Sequence, residues 1–342
     1  MSELSDPRQH GTDESGFTEI VLLIGVSRER AMQAVNTALI DLYWQIGEII
    51  SRRVAAAQWG EGAVDQLASY IARWEPGIRG FGKRNLFRMR QFYETYRENK
   101  IVSALLTQLP WTHHLIILGQ SKRPEEREFY LRMAAQEKWS SRQLERQIRA
   151  ALFERTVLSP PKVSAAMTQI HPEALSVFRD SYTLEFLGLP QAHTEEDLHR
   201  GLLNSLREFL IELGRDFCFI GSEVPLHVGN QDFAPDLLFF HRGLNCLVAI
   251  ELKVGRFEPE YLGKLNFYLE ALDRDVRKPH ERPTLGLLLC ASKDDEVVEY
   301  ALSRSLSPAM IAEYQTQLPD KKMLAARLRE FYLRQAGETE EP

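Results

Sequence analysis

Between residues 21 and 153 the apolar positions recur at intervals of three and four, the spacing that lines one face of an α-helix. Beyond residue 216, short apolar runs alternate with turn residues, as in strands. In the first half, Leu39, Leu42, Tyr43, Ile46, Ile49 and Ile50 mark one helix, closed by the Trp59-Gly60-Glu61-Gly62 break. A helix over 64–74 stops at Glu75-Pro76-Gly77, and after a Gly-punctuated turn another runs from Lys83 to about Arg97. Further helical segments fall at 103–109, 115–118, 124–136 and 140–153, the last opened by Ser140 with Gln143 three residues on. Periodicity fades between Thr156 and Pro172, where Ser159-Pro160-Pro161 and His171-Pro172 predict an interdomain linker. The second half opens with an amphipathic helix, 195–213, followed by strands at 217–224, 232–240 and 246–252. A helix over 259–273, a buried strand over 285–290 and a closing helix over 294–302 complete it.

Consecutive hairpins predict an antiparallel section, and the helical crossover before the fourth strand predicts a parallel pairing. The fold class is therefore α/β in the second half, a mixed sheet flanked by helices, with an all-α first half. The expected domains are a disordered tail (1–18), a helical domain (19–155), a linker (156–175), a sheet domain (176–318) and a C-terminal helix with an acidic tail (319–342). A length of 342 residues suits two domains. The formal net charge of −6 means that any nucleic-acid binding must come from local basic patches. No apolar run is long enough to span a membrane and no signal-peptide core is evident, so a cytoplasmic protein is expected. Cys218, Cys246 and Cys290 stand alone in apolar runs and read as buried reduced thiols.

Candidate chemistry concentrates in the strands. Phe233-Ala234-Pro235-Asp236-Leu237-Leu238-Phe239-Phe240 sets an acid in one apolar strand, and Ile250-Glu251-Leu252-Lys253 ends the next. Buried carboxylates are costly unless paired or bound to metal. Alternation puts Leu247, Ala249, Glu251 and Lys253 on one face, and a hairpin can bring Asp236 beside Glu251. A Mg²⁺ or Mn²⁺ ion held by Asp236, Glu251 and the Leu252 carbonyl would relieve the repulsion between the two carboxylates. Lys253 would serve the attacking water and the phosphate, as phosphodiester hydrolysis requires. A plain buried ion pair of Lys253 with Asp236 or Glu251 is the competing reading. The element order and the acidic helix ahead of the sheet favour the metal site.

Pro235-Asp236 followed by Glu251-Leu252-Lys253 resembles the PD-(D/E)xK nuclease superfamily, whose core runs helix–strand–strand–strand–helix–strand. More narrowly, the chain resembles the YhcG family, bacterial proteins with a DUF1016 N-terminal domain and a C-terminal PD-(D/E)xK domain. The second half carries this likeness in Leu184-Glu185-Phe186-Leu187-Gly188-Leu189, Asp236-Leu237-Leu238-Phe239-Phe240-His241, and Ile250-Glu251-Leu252-Lys253 through Asn266-Phe267-Tyr268-Leu269. The first half adds Leu42-Tyr43-Trp44-Gln45-Ile46-Gly47, Gly80-Phe81 with Arg84-Asn85-Leu86, and Leu109-Pro110-Trp111. The resemblance implies a restriction-endonuclease-like fold and a DNA or RNA substrate, with DNA preferred. It also implies a third acid from the first core helix, where Glu195, Glu196 and Asp197 stand and Glu196 is chosen. Acids favour a helix N-terminus for dipole and capping reasons too. Where the family pattern has Gly-Gln, this chain has Gly263-Lys264, and Lys264 is given a phosphate contact instead. His193 and His199 read as surface or supporting histidines, not metal ligands.

Arg79, Lys83, Arg84, Arg88 and Arg90 crowd one stretch with no acid before Glu94. A helix there gathers Arg84, Phe87, Arg88 and Gln91 on one face, and helix–turn–basic-helix is the plan of a major-groove reader. Lys83, Arg84, Arg88 and Gln91 are the candidate nucleic-acid contacts, against an even alternative of a solvated amphipathic helix. Arg142, Arg146 and Arg149 read as an ordinary exposed face, and Trp44, Trp59, Trp74 and Trp111 as core. The leading expectation is a metal-dependent endonuclease that needs a homodimer, or a second binding event, to cut a duplex. The alternative is an inactive nucleic-acid-binding or assembly module with a vestigial site.

Overall fold

The computed structural model describes residues 14–60, 62–99 and 104–338. Most of the expected N-terminal tail, Ser103 and the acidic end beyond Glu338 lie outside them. The first helix already begins at Glu14, inside the span expected to be disordered. The chain divides into two compact units at Leu144/Glu145, earlier than the expected linker.

The first unit is helical. Its main elements are α1 (Glu14–Ala55), α2 (Ala63–Trp74), α3 (Lys83–Tyr96), α4 (Trp111–Gln120) and α5 (Pro124–Gln136). Tyr43 and Ile50 of α1, Val64 of α2 and Leu86 and Met89 of α3 bury against one another. Gly47 lets α1 cross α3 closely, since a Cβ there would collide with the Met89 carbonyl. Trp74, expected in the core, is 67% exposed, with its ring 5.7 Å from that of Tyr70. Ser140 and Gln143 make the expected reciprocal cap at the start of α6 (Ser141–Arg149).

Residues expected as linker belong to the second unit. They fall largely in α7 (Leu152–Leu158), α8 (Ala165–Ile170) and α9 (Ala174–Val177). Ser164 caps α8 and donates to the Ser307 carbonyl, and Met167 is fully buried in the core. The prolines here sit in the turns between these short helices.

The second unit continues with β1 (Ser181–Thr183), α10 (Glu195–Asn204), α11 (Leu206–Leu213), β2 (Phe217–Ser222), β3 (Leu226–Val228) and β4 (Gln231–Phe233). It closes with β5 (Leu237–His241), β6 (Cys246–Arg256), α12 (Tyr261–Asp275), β7 (Arg282–Ser292), α13 (Asp295–Ser303), β8 (Ala309–Gln315) and α14 (Lys321–Glu338). A six-stranded sheet runs β1-β8-β7-β6-β5-β2. The β1–β8, β8–β7 and β7–β6 pairings are parallel, and β6–β5 and β5–β2 are antiparallel; the two hairpin pairings and the parallel β7–β6 pairing across the α12 crossover are as expected. Strands β1 and β8 and the small β3–β4 hairpin were not anticipated. The strand expected over 232–240 is broken at Pro235, which has no N–H for the ladder. The helix expected over 195–213 is likewise split at Ser205.

Both faces of the sheet are covered. Leu198, Leu202, Phe209 and Leu213 of α10 and α11 pack on one face with Val248, Ile250 and Leu252. Leu265, Leu269 and Leu272 of α12 pack on the other with Leu247, Ala249 and Leu288. Cys246 and Cys290 are buried thiols as expected, but Cys218 is exposed because it sits on the outer strand β2.

Arg146 is not on a solvated face. Its guanidinium bonds both Glu185 oxygens at 2.8 Å, Glu212 at 2.7 Å and the Thr183 carbonyl at 2.8 Å. Glu212 is fully buried and also accepts from the Thr183 N–H and Gln147, with Arg155 and Arg179 nearby. Three guanidiniums around one buried carboxylate tie α6, α7 and α11 to β1.

Candidate active site

The site forms midway along β6, where β5 begins alongside it. The Leu237–Ile250 register carries Asp236, one residue before β5, to the position across from Glu251. Asp236 Oδ2 accepts from the Leu252 N–H at 2.6 Å, which fixes the carboxylate against the strand.

Glu251 is fully buried. Its Oε1 accepts from Lys264 Nζ at 2.6 Å and lies 3.3 Å from Lys253 Nζ, whereas Oε2 has no hydrogen-bond partner. Leaving a buried acceptor unsatisfied costs roughly 1–3 kcal/mol. Burial first, then the neighbouring Asp236 charge, pushes the Glu251 carboxyl above its ordinary range, and the two lysines offset this only in part. Lys253 Nζ lies 3.1 Å from Glu195 Oε2, 3.0 Å from the Leu252 carbonyl and 5.5 Å from the centre of the Tyr261 ring. Burial works against its charge, but Glu251 and Glu195 outweigh it and its pKa rises. Lys264 behaves the same way, with its bond to Glu251 overriding burial. Both side chains are ammonium groups at neutral pH.

Among the described residues, no three His, Cys, Asp or Glu side chains gather as a metal-ligand set. Two carboxylates and a carbonyl nonetheless make the partial oxygen shell that Mg²⁺ accepts, since it keeps several waters and takes phosphate oxygens. The unpartnered Glu251 Oε2 beside Asp236 is the feature that fits such a cation.

The two halves of the chain match two family models. Residues 175–329 match the YhcG PDDEXK nuclease domain, and residues 19–155 match the DUF1016 N-terminal domain. The chain is 34% identical to the Escherichia coli (strain K12) protein "Putative nuclease YhcG", over 90% of its own length and 92% of that protein's. The chain belongs to the YhcG family. Membership brings a PDDEXK nuclease domain, a class that uses divalent metal ions, and implies a nucleic-acid substrate. A solved repair endonuclease from Pyrococcus abyssi aligns at 16% identity and a TM-score of 0.25, covering 38% of this chain. The chain spans about half of that protein (49%), and so slight a likeness carries no argument. Among the described residues, no helix is long and apolar enough to cross a membrane.

In this YhcG-family site the helix acid that reaches the cluster is Glu195, not Glu196. Glu196 points away, 84% exposed and paired with Arg200 at 3.1 Å. Asp197 is committed to the capping box with Thr194. The signal was in the sequence: Thr194-x-x-Asp197 uses one acid as a cap, and Glu196 with Arg200 has i,i+4 spacing. Lys264 contacts Glu251 directly, which its assigned phosphate role did not anticipate. His193 uses both ring nitrogens on the Pro190 carbonyl and the Tyr314 hydroxyl, so neither is open to a metal.

In the helical unit, Leu86 and Met89 face inward while Arg84 and Gln91 are exposed and Arg88 is half-buried. Arg84 and Arg88 line a surface cleft with Tyr43, Gly80, Asn85 and Trp111. Asn85 shapes its floor by accepting from Trp111 Nε1 at 2.9 Å. The turn before α3 is possible because Gly77 and Gly80 adopt positive φ (98° and 94°). Lys83 is drawn aside by Asp65 at 2.6 Å.

Proposed function

We propose that this YhcG-family chain is a Mg²⁺-dependent endonuclease acting on DNA, with the helical unit holding the substrate and the sheet unit cutting it. The observation that supports this best is Glu251, a fully buried carboxylate with one oxygen bonded by lysines and the other unpartnered beside Asp236. Asp236, Glu251 and the Leu252 carbonyl would hold Mg²⁺, which when bound supplies Lewis-acid polarisation of the scissile phosphate. Lys253, as an ammonium, donates to the phosphate and orients the attacking water, stabilising charge that grows as the bond breaks. Glu195 positions Lys253 from the α10 side. Arg84, Arg88 and Gln91 present donors from the outward side of α3, the arrangement of a helix entering the major groove.

Cleavage of linear, nicked and branched DNA and of RNA, with Mg²⁺, Mn²⁺ or chelator, tests this reading. Asp236→Asn should lose cleavage of its preferred substrate by at least ~10²-fold while keeping DNA affinity. Metal-dependent cleavage at the wild-type rate by that variant would refute the site.

One observation favours a second reading, an inactive nucleic-acid-binding module. Lys264 places its charge 2.6 Å from Glu251, at the position where the resemblance implies a neutral Gln. Titration calorimetry separates the two: no Asp236-dependent heat with Mg²⁺ or Mn²⁺, in protein that still binds DNA, would select the module.

A further inference from the structure

Helix α1 is 42 residues long, but only its second half enters a core. Every residue from Phe17 to Val35 is exposed, and Ile40 is the first buried one. Within that stretch nine large apolar side chains are 43–72% exposed, and from Ile20 to Ile24 they surround the whole circumference. A helix apolar on all sides is stable in water only when covered. Contiguous apolar surface of this extent marks an interaction site.

We infer that residues 17–30 pair antiparallel with the same segment of a second copy of the chain. Area is the first argument. The seven of these side chains between Phe17 and Val26, at roughly 100 Å² exposed each, offer on the order of 700 Å² per copy, close to the roughly 800 Å² per partner that a stable interface buries. Charge gives the direction. Glu19 lies near one end, Arg28 and Arg30 near the other, and Glu29 is held by Lys138 at 3.2 Å. A two-fold axis between Leu23 and Ile24 sets Glu19 against the partner's Arg28, twice over by symmetry. Parallel pairing would instead oppose Glu19 to itself and Arg28 to itself. The antiparallel register also puts Leu22 against the partner's Gly25, where nothing lies within 4 Å of a Cβ position and close approach is open. The pairing brings together two copies of the chain, as duplex cleavage by single-cut sites requires. It stands on α1 alone and does not rest on the nuclease reading.

Sedimentation equilibrium of the full chain over a dilution series tests it. The wild type should be a dimer, and Ile24→Asp should raise its dissociation constant at least about tenfold, 1.4 kcal/mol. The helical circular dichroism of the variant's core should be kept, because Ile24 is exposed in the single copy. Glu19→Lys and Arg28→Glu should each weaken the dimer, and the double variant should restore it. A monomer throughout, or a dimer indifferent to Ile24→Asp, overturns the inference. A double variant no tighter than either single one overturns the antiparallel pairing. A monomer that sediments with anionic phospholipid vesicles would assign the surface to lipid, which overturns it equally.

Discussion

Lys253 is the sharpest point at which to perturb the site. Its Nζ makes three polar contacts, to Glu195, the Leu252 carbonyl and Glu251, and its side chain is only 14% exposed. A charge so placed is already oriented before substrate arrives, so little reorganisation accompanies the reaction. Removing one preorganised donor of this kind costs roughly 10²–10³ in rate, about 2.7–4 kcal/mol. The fold should survive Lys253→Ala, because Lys264 still bonds Glu251 at 2.6 Å and no buried carboxylate is left without a cation. The helix acids supply the control. Glu195 is 52% exposed, and a pair of that kind is worth about 0.2–1 kcal/mol, so Glu195→Gln should slow cleavage about 1.4- to fivefold through a looser Lys253. Glu196→Gln should change nothing, since Glu196 touches only Arg200. Single-turnover cleavage at saturating enzyme, with DNA binding followed by anisotropy, separates chemistry from affinity. Lys253→Ala cutting within threefold of wild type, or Glu196→Gln slower than Glu195→Gln, would refute the reasoning.

Arg146→Ala should cost about 3–5 kcal/mol by leaving Glu212 and Glu185 short of a cation, which at about 2–4 °C per kcal/mol lowers the melting point by roughly 6–20 °C. A shift under ~2 °C would restore the exposed-face reading. Burial alone would raise the Glu212 carboxyl, but Arg179, Arg146 and Arg155 more than offset it and hold it below its ordinary value. That stability is present above the unfolded carboxyl value of about 4.5 and is lost as pH falls through the lowered folded value, so denaturant unfolding of Glu212→Gln should show a shallower acid slope. Unchanged slopes would exclude Glu212 as a source. Arg84→Ala and Arg88→Ala should each weaken DNA binding and lower the salt dependence by about one counterion; equal slopes would remove them from the interface. Lys264→Gln should tighten Mg²⁺ binding in calorimetry without DNA, and a weaker or unchanged constant would show that Lys264 does not oppose the metal.

What was legible in the sequence follows from how locally each feature is determined. Strand β6 is apolar on both faces up to Leu252 and carries Glu251-Leu252-Lys253 midway along its length, so alternation alone orients these side chains. Asp236 was placed because a short hairpin leaves little freedom of register. Strand β8 was invisible for the opposite reason. Ala-Met-Ile-Ala-Glu-Tyr-Gln has no helical or alternating signature, and it becomes a strand by lying between β1 and β7. Arg146 was misread because Glu212, which buries it, lies 66 residues away in the chain and no local pattern links the two. Glu196 was a different kind of error. Its neighbours carried cap and i,i+4 spacings that, taken first, leave Glu195 as the uncommitted acid.

The remaining departure, Lys264 where the resemblance implies Gln, changes the charge that a cation would meet. Asp236, Glu251 and Glu195 contribute three negative charges and Lys253 and Lys264 two positive ones, leaving −1, where Gln would leave −2. A divalent ion is then under-compensated by the protein alone. On the proposed reading a nucleic-acid backbone would bring its own negative oxygens to the same edge, so substrate and metal would each improve the site for the other. By linkage that gain is reciprocal: whatever factor DNA adds to metal affinity, metal must add to DNA affinity. On the proposed metal-dependent reading, Lys264 would keep the site weakly loaded until substrate arrives. It also explains how a carboxylate as buried as Glu251 is tolerated meanwhile, since the same ammonium bonds its Oε1 at 2.6 Å.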